Sequence, residues 1–438
     1  MSTEAVGQVW RREAPHVLTA LLRRHGDLGD CEDAAQEAAE AAAVQWARDG
    51  VPDNPRGWLI RVASRRLIDR QRADLARIER EESVAHARRA DDDLAPAADA
   101  DPPATGDDTL RLFLLCCHPS LSRPSQVALT LHAVAGLTTA EIAAAYLVPE
   151  RTMAQRLSRA RTGLRAAQAT FDLPAATELP ARIAAVLDVC HLMFTEGHTR
   201  TGGTALLDPG LAGEAIRLTR QLHRVVPDHD EVAGALALML LTHARAATRS
   251  DHGDLVPLAE QDRTRWDSEL IAEGVRILET ILPRGHVGRY QLQAAIAAVH
   301  AEAPTWESTD WPQICVLYTM LDRIAPSPAV TLNRAVAVAM AFGPEQGLAL
   351  IDPLLDDPAM RRHHRTHAVR AHLLEMTGDR AAALASYAEA ARLSTSLPEQ
   401  RYLNARMRSV AEDRRFLSEG GDLMAGSEGA ECAGLDGG

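Results

Sequence analysis

LTTAEIAAAYLVPERTMAQRLSRARTGLR, residues 137–165, is the stretch on which the reading turns. Thr138 with Glu141 three residues later, ahead of Ile142, Ala143, Tyr146 and Leu147, is the pattern of a capping box opening a short amphipathic helix. Hydroxyl and carboxylate there each satisfy a backbone N–H of the first turn. Val148, Pro149 and Glu150 break that helix. A second starts near Pro149, whose fixed φ suits a first turn, and Met153, Leu157, Ala160 and Leu164, spaced 4, 3 and 4 apart, form its buried stripe. Its outer face is basic: residues 151–165 hold five arginines (151, 156, 159, 161, 165) and no acid, with Thr152, Gln155 and Ser158 between them. Guanidiniums to grip phosphates and amides or hydroxyls to read base edges are what a helix in the major groove requires. Two short helices joined by a tight turn make a helix-turn-helix. An ordinary helical hairpin with a solvated arginine face fits the same stretch.

Working outward, the 438 residues are enough for two to four domains at roughly 150 residues each. Aromatics make up 4% of the chain and alanine is abundant, so helix should dominate and the fold class is all-α. There is no lysine; all 47 basic residues are arginine. The net charge of −13 argues against nucleic acid only as an average, because the basic stretches are local. The amino terminus lacks the basic flank and apolar core of a signal peptide. The longest apolar run, Val232 to Leu241, is too short to span a bilayer. A cytoplasmic protein with no membrane partner is expected. The six cysteines (31, 116, 117, 190, 315, 432) show no CxxC pairing, which points to buried free thiols rather than disulfides or zinc ligands.

Residues 8–49 read as two helices, the first with Val17, Leu18, Leu21 and Leu22 as its apolar face. The second begins near Asp30 and carries CEDAAQEAAEAAAVQW. Asp33, Glu37 and Glu40 make an acidic stripe on it, either solvated surface or a docking face for a basic partner. PDNPRGW at 52–58 is a turn feeding a helix. From 54 to 89 there are ten arginines against five acids, with Trp58 at the head. A ring that stacks on unpaired bases beside guanidiniums that hold the backbone suits single-stranded nucleic acid; a half-buried packing role suits one tryptophan equally. Residues 91–108 hold seven Asp, three Pro and no basic residue, the composition of a linker that cannot bury a core.

The order of these units resembles the extracytoplasmic-function (ECF) type of bacterial sigma factor, the promoter-recognition subunit of RNA polymerase. EDAAQEA (32–38) resembles the polymerase-clamp helix of region 2. PRGWLIRVASRRLIDRQR (55–72) is similar to the helix that opens and reads the −10 element, and 110–169 resembles region 4, which reads the −35 element. Two positions depart from the family pattern: Ser64 and Arg65 stand where Arg and Asn are usual, and Cys31 where a small or acidic residue is usual. The resemblance implies core RNA polymerase and promoter DNA as partners, no cofactor, no metal and no catalytic residue. It implies that Asp33, Gln36 and Glu37 touch the polymerase clamp, that Trp58, Arg61, Arg65 and Arg66 engage the melted −10 strand, and that Arg151, Thr152, Gln155, Arg156 and Arg159 face the −35 duplex. The expected domains are region 2 at 8–85, an acidic linker at 86–109, region 4 at 110–170, a helical extension at 180–418 and a disordered tail at 419–438.

The extension reads as helical hairpins. Ala371, Gly378, Asp379, Ala383, Tyr387 and Ala390 fall where a tetratricopeptide repeat places its packing residues, and Leu332 to Leu355 with Gly343 is a weaker copy. Such hairpins stack into a solenoid. Phrases such as FTEGHTRTGG, QDRTRWD, TDWPQI and LNRAVAVA resemble a subgroup of these factors with a tetratricopeptide-like carboxy-terminal domain. Asp262, Arg263, Arg265, Trp266, Asp267, Asp310 and Trp311 crowd polar and aromatic handles into short spans, suited to a cis contact with the sigma regions or a ligand, or to a network holding loops in place. His191, Glu196 and His198 lack the i, i+4 His pair of a zinc helix. A helical scaffold with an incidental helix-turn-helix is the alternative. An enzyme housed in the extension would need converging acid, base and nucleophile, which the sequence does not display.

Overall fold

The computed structural model describes residues 3–81, 106–146, 148–200 and 202–425; side chains are described throughout these except at 3–8, 11, 74–81, 106–107 and 413–425. Among them are eighteen α-helices, and the only sheet is a two-stranded hairpin, Ser250–Asp251 against Asp254–Leu255. The chain divides into two compact units. The first holds 1–195 and 210–232, the second 196–209 and 233–438.

In the first unit α1 (Thr3–His25), α2 (Leu28–Asp49) and α3 (Pro55–Glu81) pack on one another. Val17, Leu18, Leu21 and Leu22 are buried, as their spacing predicts. Helix α2 starts two residues before Asp30 because Asp27 caps it, accepting from the Asp30 N–H at 3.0 Å. Glu13 of α1 ties down the head of α3, accepting from Arg56 Nε at 2.7 Å and Arg12 Nε at 2.8 Å. Burial works against that carboxylate, but the two arginines outweigh it and hold its pKa low.

The expected acidic linker lies largely outside the described residues, but its end does not. Helix α4 (Gly106–Cys116) begins inside it, and Asp108 is buried against Arg23 of α1, whose Nε donates at 3.1 Å. Helices α5 (Arg123–Ala133), α6 (Thr139–Ala145) and α7 (Glu150–Ala166) follow. The unit extends past residue 170 to take in most of α8 (Leu179–His198) and α9 (Pro209–Val225). Arg123 of α5 pairs with Asp188 of α8 at 2.6 Å, and Arg182 of α8 donates to the Leu114 carbonyl at 2.8 Å.

In the second unit α10 (Asp230–His243), of which residues from 233 on belong to it, and α11 (Ser268–Ile281) precede a run of successively packed helices: α12 (Arg289–Glu302), α13 (Trp311–Ile324), α14 (Pro328–Phe342), α15 (Pro344–Ile351), α16 (His364–Thr377), α17 (Arg380–Leu393) and α18 (Leu397–Ala425). Ala371, Ala383, Tyr387 and Ala390 are all buried between α16 and its neighbours. Gly378 ends α16 in the left-handed region at φ +82°, and Asp379 caps α17. The sequence expectation of a disordered tail meets α18, which continues to Ala425; the remaining residues lie outside those described.

Close helix packing sets one sharp constraint. A Cβ at Gly347 would sit 2.7 Å from both Ala339 Cβ and Leu373 Cδ1 and 2.8 Å from the Ala335 carbonyl oxygen. Backbone cannot give way as a flexible side chain can, so Gly347→Ala is expected to destabilise the second unit by about 1–3 kcal/mol. Urea unfolding of the full chain reads this as an earlier transition; an unchanged midpoint would contradict the packing described.

Candidate nucleic-acid interface

Thr138 and Glu141 form the reciprocal box: the Thr138 N–H donates to Glu141 Oε2 at 2.8 Å and the Glu141 N–H to Thr138 Oγ1 at 3.2 Å. This fixes where α6 begins. Ile142 and Ala143 are buried, and Leu147 lies outside the described residues. Pro149 caps α7, its carbonyl accepting from the Thr152 N–H at 2.9 Å. Met153, Leu157, Ala160 and Leu164 are buried, so the opposite face of α7 is set outward.

That outward face is not uniform. Arg151, Thr152, Gln155 and Arg159 are exposed and Arg156 half-buried; among the described residues none of the five side chains has a hydrogen bond or ion pair. These are the residues expected to face the −35 duplex. The carboxy-terminal arginines of the helix are engaged. Arg161 Nε donates to Glu32 at 2.6 Å and its Nη1 lies 3.5 Å from Asp33. Arg165 forms a fork on Asp27, 2.8 Å to each oxygen, and lies 3.6 Å from Asp30. Burial raises the Asp27 carboxyl, but Arg165 and the Asp30 N–H outweigh it, leaving its pKa below the usual range. Asp30 is pushed up by burial and by Asp27.

The acidic stripe on α2 is therefore not simply solvated. Asp33 meets Arg161, Glu37 accepts from Arg70 and lies 3.6 Å from Arg66, and Gln36 and Glu40 stay exposed. On α3, Asn54 Oδ1 accepts from the Gly57 N–H at 2.9 Å and so starts the helix. Trp58 is half-buried and packs edge-on against Trp46, ring centroids 5.3 Å apart at 62°. Part of its ring is spent on packing and part is open. Arg61 and Arg65 are exposed, whereas Ser64 is buried and faces the core. Cys31 is also buried, its thiol pushed up to about 12, mainly by burial, and Cys116, Cys117, Cys190 and Cys315 are buried and free as well.

The handles of the extension are used locally. Asp262, Asp267 and Asp310 cap the helical turns that follow them. Arg263 donates to the His300 and Ala303 carbonyls at 2.5 and 2.7 Å and stacks over Trp266, 4.7 Å from its ring. Trp266 is buried and donates to Thr248 at 3.0 Å; Trp311 packs against Trp306 and His300. Arg265 is exposed.

Comparison with known proteins agrees with this layout. Sigma-70 region 2 matches residues 9–76, sigma-70 region 4 matches 113–164, and a family of unknown function (DUF6596) matches 182–282. The probable ECF RNA polymerase sigma factor SigI of Mycobacterium tuberculosis is 31% identical over 212 residues, 48% of this chain and 70% of its own length. The chain belongs to the ECF sigma factors. An uncharacterized protein of Rhizobium meliloti is 37% identical over 408 residues, covering 92% of this sigma factor and 96% of the relative. No solved structure matches. The family acts in transcription initiation. No helix among the described residues is long and apolar enough to cross a membrane.

What sequence reasoning missed is the pairing of Arg161 with Glu32 and of Arg165 with Asp27. Nothing local marks it, since the paired positions lie 129 and 138 residues apart. The division of α7 predicts a division in stability. Arg151→Ala and Arg159→Ala should each fall within about 0.5 kcal/mol of the parent, and Leu157→Ala should cost about 2–5 kcal/mol. Denaturant unfolding of the three variants decides it; a large loss at Arg151 or Arg159 would mean those arginines hold the fold.

Proposed function

We propose that this sigma factor binds core RNA polymerase through α2, opens and holds the −10 strand with α3, reads the −35 element with α7, and is controlled in cis by its extension. The observation that carries the reading is the uncommitted face of α7. Arg151, Thr152, Gln155, Arg156 and Arg159 converge on one side of a helix whose other side is buried, within a match to region 4. Unpaired guanidiniums release counterions from DNA on binding, and the neighbouring amide and hydroxyl read base edges. Asp33, Gln36 and Glu37 are the proposed clamp contacts; Trp58, Arg61, Arg65 and Arg66 the −10 contacts. Region 2, region 4 and extension keep the order given above, with α4 opening the second at Gly106.

In the scaffold reading, exposed Val316, Met320 and Ile324, one turn apart on α13, form an apolar face for another protein. That reading expects no copurifying polymerase. In vitro transcription with core polymerase on genomic fragments separates the two: specific transcripts support the sigma role, and their absence with a folded chain rejects it.

Two outcomes follow for the parts. Loss of a base-reading arginine at 156 or 159 should cost about 1–3 kcal/mol at one promoter position, whereas loss of a phosphate-binding one should weaken all promoters and flatten the salt dependence. Footprinting of holoenzyme with Arg156→Ala and Arg159→Ala distinguishes these, and unchanged −35 protection in both rejects the assignment. For the extension, a chain ending at Val232 keeps α8 and α9 with the first unit. Its promoter output should differ from that of the full chain, and equal output across growth conditions would make the extension a passenger.

A further inference from the structure

The contact between α2 and α7 joins the two parts that the sigma reading assigns to different partners. Glu32 is buried, with one oxygen on Arg161 and the other without a partner among the described residues. Asp27 at the cap of α2 and Asp30 and Asp33 within it surround Arg165 and Arg161. Three features mark this as a closure that can open. A buried carboxylate satisfied on one side only is a poor resting place. The Arg165 fork is largely exposed, and exposed pairs are weak and screened by salt. The acids hold the guanidiniums as phosphate oxygens would, so DNA offers the same arginines an equivalent partner.

We propose that Asp27, Glu32 and Asp33 of α2 and Arg161 and Arg165 of α7 form an autoinhibitory latch, which occupies the α2 face and the carboxy-terminal half of the recognition helix until polymerase and promoter replace it. The inference rests on the sigma reading for what is inhibited, not for the latch itself. While the latch is closed, Asp33 is engaged by Arg161 and α7 lies against α2, so neither surface is fully presented. A ligand that takes only the open form binds more weakly in proportion to the open fraction.

The test uses the full chain, with Val44→Cys on α2, Ala166→Cys on α7 and Cys432→Ser, so that two spin labels report the distance between the helices; the other native thiols are buried. Arg161→Glu places three acids against one another and should lengthen and broaden the distance distribution. It should also tighten binding to core polymerase about fivefold or more at low salt. Combining it with Glu32→Arg restores opposite charges and should return both readings toward the parent. Arg165→Ala, at an exposed side chain, should shift both in the same direction by less, and serves where Arg161→Glu does not fold. Unchanged distances in both arginine variants overturn the latch, and opening without tighter polymerase binding overturns its inhibitory role. A parent chain and opened variants that all fail to bind core polymerase overturn the sigma reading, leaving the distances to judge the latch.

Discussion

A guanidinium stays protonated at any pH a cell reaches, so each of the 47 arginines in this lysine-free chain must be paired, hydrogen-bonded or left in water. That constraint organises the molecule. Buried Arg249 is pushed down to about 9 by burial and by Arg245, still cationic at neutral pH, and is held by Thr199 Oγ1 at 2.8 Å and the His198 carbonyl. Arg182 and Arg263 find carbonyls at helix ends, where backbone acceptors are free. Arg23 and Arg161 find buried carboxylates. Among the described residues, Arg151, Arg156 and Arg159 on α7 and Arg61 and Arg65 on α3 belong to the arginines that no acid or carbonyl takes up.

The helix-turn-helix was legible because everything that makes it is local. A capping box spans four residues, the buried stripe of α7 repeats every three or four, and Pro149 separates the helices without help from elsewhere. The same holds for the packing positions of α16 and α17, where small residues and Tyr387 mark a close helix pair. The division of the α7 arginines was not legible, because a charge's partner depends on tertiary approach. Arg159 and Arg161 look alike in sequence, and only the arrival of α2 distinguishes them. Asp108 shows the converse: in a run of acids and prolines it reads as linker, yet Arg23 takes it into the interior.

The extension's polar clusters include the loop-holding network that the sequence allowed as one of their uses. Asp262, Asp267 and Asp310 each stand just before a helical turn and accept its backbone N–H groups, a task Asp performs better than most residues. Arg263 on two carbonyls and over Trp266 closes a loop in the same way. Of the handles named, Arg265 is the one that is exposed without such a task among the described residues. A polar cluster beside a helix start is therefore weak support for a site until its caps have been subtracted.

The route of the chain bears on how an extension can control a sigma factor at all. A domain on one flexible tether acts through effective concentration, about millimolar for a short linker, and its influence falls as the tether lengthens. Here the chain leaves the first compact unit at Thr195, re-enters it at Gly210 and leaves again at Val232. Three crossings replace one tether, and the returning segment is α9, which adds Leu211, Ala215, Leu218 and Leu222 to the buried residues of its unit. Interdomain control needs such a shared element, whose equilibrium both parts bias. In this chain α8 as far as Thr195 and α9 come after the recognition helix and belong to its unit.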